Sequence, residues 1–264
     1  MTAPQAIVLG LVQGATEFLP VSSSGHLILV PRLFGWPDQG LAFDAAVHLG
    51  TVLALLIYFA GELRRLGGGL LARRPSDCRL AAGVLLGSIP AGFAGLAFHH
   101  VIETRLRSVT VVAASTILWA LVLWWADRRA ARNGLTDLRE VGIGRALVVG
   151  LAQPLALIPG TSRSGITLSA GLFTGLDRST AARFAFLLGL PVTVAAGLLE
   201  VTALLRDAST GDGLGLIALG VGTSFVAGLA AIAFLVSYLQ RRTLLVFVVY
   251  RVVLGLLLLW LGRG

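Results

Sequence analysis

Long apolar runs alternate along the chain with short polar gaps that hold most of its arginines. Six runs are unbroken, at about 41–60, 80–98, 109–127, 180–204, 214–238 and 244–262. Each is near the roughly 20 residues that an α-helix needs to cross a hydrocarbon core. Two further runs, at about 4–30 and 143–172, are interrupted midway by Gly, Pro and a series of Ser. Lipid cannot satisfy the peptide groups such a break frees, so each break must face protein or a wet cavity. Two half-helices that enter and leave by one face meet this need. The pattern predicts an all-α integral membrane protein: six transmembrane helices plus two re-entrant helical hairpins in one membrane domain spanning residues 1–264.

The two broken runs are related. At an offset of 140 residues Gly10 matches Gly150, Gln13 matches Gln153, Ser22 matches Ser162, Ser24 matches Ser164 and Gly25 matches Gly165. This predicts internal repeats over about 1–127 and 141–264.

Composition excludes a soluble reading. Apolar residues make up 56%, charged residues 13%, and mean hydropathy is +0.87. A soluble domain carries roughly 25% charged residues. The net charge of +8 comes from arginine alone, since the sequence contains no Lys. These arginines cluster between apolar runs, as in the cytoplasmic loops of membrane proteins, so no nucleic-acid partner is expected. Cys78 stands alone, without a disulfide partner or metal-ligand spacing. No basic residue precedes Arg32, so the first run is expected to be part of the mature protein rather than a signal peptide.

Charge also sets the topology. With both breaks re-entrant, one side receives the loops at 61–79, 128–145, 173–180 and 239–243. They hold Arg64, Arg65, Arg73, Arg74, Arg79, Arg128, Arg129, Arg132, Arg139, Arg145, Arg178, Arg241 and Arg242, against Arg32, Arg105, Arg107, Arg206 and Arg263 on the other side. The first side is cytoplasmic by the positive-inside rule. The first hairpin then enters from outside and the second from the cytoplasm, an inverted-topology repeat with a site where the halves meet. If both breaks crossed fully, the loop at 239–243 would change sides and the segregation would weaken.

The chemistry lies in the breaks. Gln13 and Glu17 share a helix face, and a carboxylate in an apolar run is costly and usually functional. Metal ligation and acid–base work are its plain uses; a structural hydrogen bond is the plainer alternative. Ser22, Ser23, Ser24 and Gly25 can bind an anion at a helix N-terminus. His26 closes the run and is a candidate proton relay or nucleophile, or a satisfied core residue. In the second break Arg163, between Ser162 and Ser164 and followed by Gly165 and Thr167, needs an anionic partner. Phosphate suits its planar fork; an ion pair with Glu17 is the alternative. Asp44 and His48, one helical turn apart, form either a supporting pair or a helix-end contact. Glu200 is expected to be structural, and His99 and His100 solvated. Arg251, beside Tyr250 in the last run, either reaches a phosphate or snorkels.

Gln13-x-x-x-Glu17-Phe-Leu-Pro-Val-Ser-Ser-Ser-Gly-His26 and Pro159-Gly-Thr-Ser-Arg163-Ser-Gly165 closely resemble the motifs of the undecaprenyl-diphosphatase, or bacitracin-resistance, family. Gly87-Ser-Ile-Pro-Ala-Gly92 and Tyr250-Arg251 extend the resemblance over nearly the whole chain. It implies a phosphatase that removes the terminal phosphate of undecaprenyl diphosphate, recycling the lipid carrier for peptidoglycan and cell-wall synthesis. It implies a divalent cation, Mg2+ or Ca2+, and six spans with two re-entrant hairpins. By position, Glu17 becomes the catalytic acidic residue, Ser23 and His26 the nucleophile or base candidates, and Arg163 their catalytic partner. Ser22, Ser24, Gly25, Ser162, Ser164 and Thr167 become diphosphate ligands, with Arg251 assisting. The family takes Glu or Gln at the first motif position, and Gln13 here leaves no second carboxylate, so the metal falls to Glu17 plus diphosphate oxygens, with Gln13 as a further candidate donor. The expected setting is the bacterial inner membrane, with the site opening to the periplasmic face; the expected partners are a polyprenyl diphosphate lipid, the bilayer and a second copy of the chain.

Two rivals follow from the same features. Inverted repeats with broken helices also build transporters, here a flippase of an anionic polyprenyl lipid. Ser24-Gly25-His26 is faintly similar to an element of the phosphatidic acid phosphatases. That class needs a later His, and none follows His100.

Overall fold

The computed structural model describes the chain except for residues 38, 107, 131–133, 208–213 and 263–264, and except for the side chains of 41, 99–105 and 199–207. Arg107, Arg132 and Arg263 therefore lie outside the described residues, as do the side chains of His99, His100, Arg105, Glu200 and Arg206.

The described chain is helical. The first run forms α1 (Ala3–Phe18) and α2 (Ser23–Phe34). Then come α3 (Leu41–Tyr58), α4 (Ala60–Leu71), α5 (Pro75–Arg105) and α6 (Val109–Arg129). The second broken run forms α7 (Ile143–Ala152), a 3-10 turn at Gln153–Leu157, and α8 (Arg163–Phe173). The chain closes with α9 (Arg178–Asp207), α10 (Leu214–Leu239) and α11 (Leu245–Leu261).

Both breaks fall where the sequence predicts them, and for local reasons. Leu19 and Ile158 are extended, as residues before proline prefer. Ser22 (φ 73°) and Ser162 (φ 68°) then take left-handed backbone directly before α2 and α8. Such a conformation costs a residue with a Cβ about 1–3 kcal/mol. The same conformation recurs at two positions 140 residues apart.

By length and composition α5, α6, α9 and α10 contain segments able to cross a membrane: Pro75–Phe98, Val109–Arg129, Arg178–Leu198 and Leu214–Leu239. A fifth is gained if α3 and α4, bent by 61°, count as one span. α11 is apolar but shorter. The sequence reading placed a loop at 61–79, whereas residues 60–71 form helix α4. Leu63 and Leu66 pack on the main core while Arg64 stays exposed, so an amphipathic face holds this segment helical.

The two halves pack alike. α1 lies against α10 and α7 against α5, while α3 meets α10 and α9 meets α5. Ser224 on α10 donates to the Val47 carbonyl (2.7 Å), and Ser88 on α5 donates to the Leu188 carbonyl (2.9 Å). Gly10 and Gly150 let the half-helices approach these partners, because a Cβ at either would strike the backbone of Gly220 or Gly87. Small residues at such contacts are how helices pack tightly in lipid.

The two ends of the α7–α8 segment are adjacent. Arg145, in the first turn of α7, donates to the Thr174 carbonyl just after α8 (3.1 Å). Leu135 and residues 175–177 also exchange backbone hydrogen bonds of 3.0 and 3.1 Å. On the same face Asp127, near the end of α6, accepts from Arg178 (2.5 Å) and from the Leu244 amide (3.1 Å). Arg183 pairs with Glu62 there, and Arg65 with Asp77 (3.2 Å). Arg128 and Arg129 stack over Trp124 and Trp125, the aromatic-with-cation arrangement of a membrane boundary. The outward faces of α5, α6 and α11 expose Phe93, Leu96, Leu121 and Val253, a surface suited to lipid.

Candidate active site

The two breaks meet at the centre. Ser164 donates to the Leu19 carbonyl (3.0 Å), and the Gly160 amide donates to Ser24 Oγ (3.3 Å). The N-termini of α2 and α8 open beside this junction, and both ends favour negative charge.

Glu17 and Arg163 join across it. Arg163 Nη2 donates to Glu17 Oε1 at 2.9 Å, with side chains 24% and 10% exposed. Glu17 Oε2 accepts from Ser23 Oγ (2.8 Å) and Gln13 Nε2 (3.1 Å). The sequence left two partners open for Arg163, and this structure pairs it with Glu17. Its other terminal nitrogen donates to Thr193 Oγ1 on α9. Thr193 was not singled out from sequence; a hydroxyl two residues after Pro191 inside an apolar run was the available signal. Glu17, Arg163, Ser164, Thr167 and Gly189 line a cavity of about 10 Å3, room for roughly one water.

His26 faces elsewhere. Its Nδ1 meets the Ser22 carbonyl at 2.7 Å, so that nitrogen carries the hydrogen. Its Nε2 lies 2.5 Å from the Tyr250 hydroxyl, and the two rings are nearly parallel, 5.6 Å apart. No hydrogen bond in the structure joins the His26 ring to Glu17 or Ser23 among the described residues. Of the two attacker candidates, Ser23 is the one seated on the carboxylate.

Several of the expected phosphate ligands also brace the turns that carry them. Ser22 and Ser24 share a hydrogen bond of 3.2 Å, and so do Ser162 and Ser164. Ser162 also caps α8 through the Gly165 amide (3.2 Å), and Thr167 donates back to the Arg163 carbonyl (2.7 Å). A Cβ on Gly165 would press on Arg251 Nη1 at 2.7 Å, whereas one on Gly25 would make only ordinary contacts.

Arg251 departs most from expectation. It is fully buried and donates to the carbonyls of Thr116 (3.2 Å), Gly160 (3.1 Å), Thr161 (2.8 Å) and Pro20 (3.5 Å). Each break frees carbonyls that lipid cannot serve, and this one guanidinium collects them from both. It is a strut between the breaks, and its full burial excludes snorkelling to a surface.

His48 lies at the edge of the cluster. Its Nδ1 meets the Asp44 carbonyl (2.7 Å) and its Nε2 faces Glu17 Oε2 at 3.8 Å. Among the described residues no three His, Cys, Asp or Glu side chains gather as a metal cage.

Among the described residues, four or five apolar spans surround a partly buried carboxylate–guanidinium pair on two broken helices, which defines a polytopic membrane protein with a polar site between its helices. The comparisons narrow this. Residues 6–257 match the family described as Bacitracin resistance protein BacA. The chain is 48% identical to an undecaprenyl-diphosphatase of Thioalkalivibrio sulfidiphilus, covering 97% of this chain and 98% of the relative. It is 49% identical to "Undecaprenyl-diphosphatase 2" of Stutzerimonas stutzeri, with 98% of each covered. A Moorella thermoacetica undecaprenyl-diphosphatase is 46% identical over the whole of both chains. The chain belongs to the BacA family.

Proposed function

We infer that this protein hydrolyses undecaprenyl diphosphate to undecaprenyl phosphate and inorganic phosphate, returning the lipid carrier to cell-wall synthesis. Its relatives carry that activity in their names at nearly half identity over full length. One observation carries the site assignment: the Glu17–Arg163 pair that links the two breaks across the whole sequence.

In the mechanism we propose, the headgroup enters where the N-termini of α2 and α8 open. The present cavity is far smaller than a diphosphate, so entry needs the Glu17–Arg163 contact to open. Arg163 turns its fork to the terminal phosphate, a bidentate exchange of one anion for another. Ser23, already donating to Glu17, gives that carboxylate its proton and attacks phosphorus, the pairing of nucleophile and base that such transfer requires. The bond from phosphorus to the bridging oxygen breaks, Glu17 passes its proton to that oxygen, and undecaprenyl phosphate leaves. Glu17, ionised again, takes a proton from water as the water oxygen attacks phosphorus; the bond from phosphorus to Ser23 Oγ breaks, Ser23 takes the proton back, and inorganic phosphate is released. His26, held by Tyr250 and the Ser22 carbonyl, positions the start of α2.

A divalent cation, Mg2+ or Ca2+, fits the donors at hand. Gln13 is fully buried and its Oε1 has no partner, a hard oxygen beside Glu17. Such an ion would neutralise charge on the diphosphate oxygens. Glu17 and Gln13 are too few to enclose it, as suits an ion that takes its remaining oxygens from substrate and water.

The same reading has six spans, two re-entrant hairpins and an inverted repeat over about 1–127 and 141–264 in the bacterial inner membrane, with the site opening outward. The adjacency of Arg145 to Thr174 and of Asp127 to Leu244 supports it, since both gather the Arg-rich segments on one face. A homodimer is part of the same proposal. The deciding experiment is phosphate release from a C55 diphosphate by purified protein in detergent, with and without chelator. Release that chelator abolishes is expected; the flippase alternative predicts none.

A further inference from the structure

His48 is a third-exposed imidazole that the mechanism above does not use. Its Nδ1 meets a main-chain carbonyl at 2.7 Å, which fixes the ring hydrogen there. With that hydrogen on Nδ1, Nε2 is the ring atom free to ligate, and it faces a carboxylate oxygen at 3.8 Å. Two electron-rich atoms hold such an arrangement best with a cation between them. Nitrogen and oxygen bonds of about 2.1 Å span that gap at an angle of roughly 130°. Ligating histidines nearly always donate their other ring N–H to a carbonyl or carboxylate, as His48 does to Asp44.

Gln13 supplies an independent observation. Its Oε1 is buried without a partner while its Nε2 sits 3.1 Å from the same Glu17 Oε2. Half a turn of the amide would put Oε1 there instead, at the spacing of two neighbouring oxygens on one ion. Ser23 and Arg163 keep their own contacts to Glu17 in that arrangement.

We propose that Glu17 Oε2, His48 Nε2 and Gln13 Oε1 form a divalent-cation site in which His48 is a direct nitrogen ligand. This deepens the hydrolase reading and rests on it for the role of the ion. A nitrogen donor changes the ion the site prefers. Imidazole suits first-row transition ions, so Mn2+ or Co2+ should bind more tightly than Ca2+. The remaining positions belong to water and diphosphate oxygens.

The test reads the metal itself. Tag-free protein in detergent, stripped with chelator, is loaded with Mn2+ alone and with Mn2+ plus methylenediphosphonate. Pulsed electron paramagnetic resonance should detect 14N of a directly bound imidazole. His48→Gln should lose that signal, and His48→Ala should weaken Mn2+ binding by about tenfold or more. Calorimetry on monodisperse, thermally intact variants separates this from misfolding. Wild-type Mn2+ without 14N coupling, coupling that survives His48→Gln, or no Mn2+ binding in either state overturns the site. Phosphate release from the C55 lipid is scored separately. Coupling without hydrolysis would leave the metal site standing and sink the hydrolase reading; Mg2+-dependent hydrolysis without coupling would do the reverse.

Discussion

The two breaks share a backbone and differ in chemistry. Ser22 and Ser162 adopt the same left-handed conformation, and each heads a helix. Ser22–Ser24 and Ser162–Ser164 make hydroxyl pairs of equal length, 3.2 Å. At the same offset Glu17 faces Leu157, Ser23 faces Arg163 and His26 faces Ile166. The first break holds the anion and a hydroxyl; the second holds the cation. The buried amides show what this costs. Gln13 has Glu17 as a partner, while both side-chain polar atoms of Gln153, where the carboxylate's counterpart is a leucine, have none. The backbone frame common to both breaks makes demands that any polar, turn-forming sequence can meet. Its side chains are free to diverge until opposite charges meet across the junction.

Glu17→Gln breaks the comparison most. It makes the first break as uncharged as the second and leaves Arg163 without a carboxylate. Phosphate release should fall by about 10²–10⁴-fold, the usual worth of a positioned acid or base. Arg163→Lys keeps the charge and loses the fork, so a loss of about 10²-fold is expected in the same assay. Near-wild-type release from both variants would sink the site assignment. Arg251→Met should act on the frame. It strips both breaks of a shared donor, and each buried carbonyl left unpaired costs about 1–3 kcal/mol. Thermal unfolding in detergent should show a clear drop in midpoint, and a midpoint at wild type would overturn the strut. The smallest effect should be at Gln153→Leu. Removing an unpartnered buried amide should leave stability unchanged or raise it by about 1 kcal/mol, with activity kept. Gln13→Leu, by contrast, should lower activity, and equal behaviour of the two would erase the asymmetry.

Much of this could be read in the one-dimensional order. A proline closely followed by a run of Ser and Gly breaks both helices for local reasons, since proline restricts the residue before it and freed peptide groups need partners, whereas Pro90 and Pro191, without such a run after them, stay inside α5 and α9. The positions of both breaks, most apolar segments and the grouping of Arg therefore followed directly. Helix α4 is hidden in the sequence by its arginine density, and only the core that Leu63 and Leu66 pack on makes it helical. Glu17, Ser23 and Arg163 could be named because a charge or hydroxyl run in an apolar segment is conspicuous.

Which of them touch was decided elsewhere. Glu17 and Arg163 meet because α1 packs on α10 and α7 on α5, bringing two distant turns to one point. That packing also turned His26 toward Tyr250, carried Thr193 to Arg163, set His48 over Glu17 and sank Arg251 among carbonyls. The sequence by itself determined where polar groups must leave the helical ladder, since that depends on neighbours a few residues away. Only the tertiary structure decided which distant group each one meets, since direction and distance between halves are set by helix packing and not by spacing along the chain.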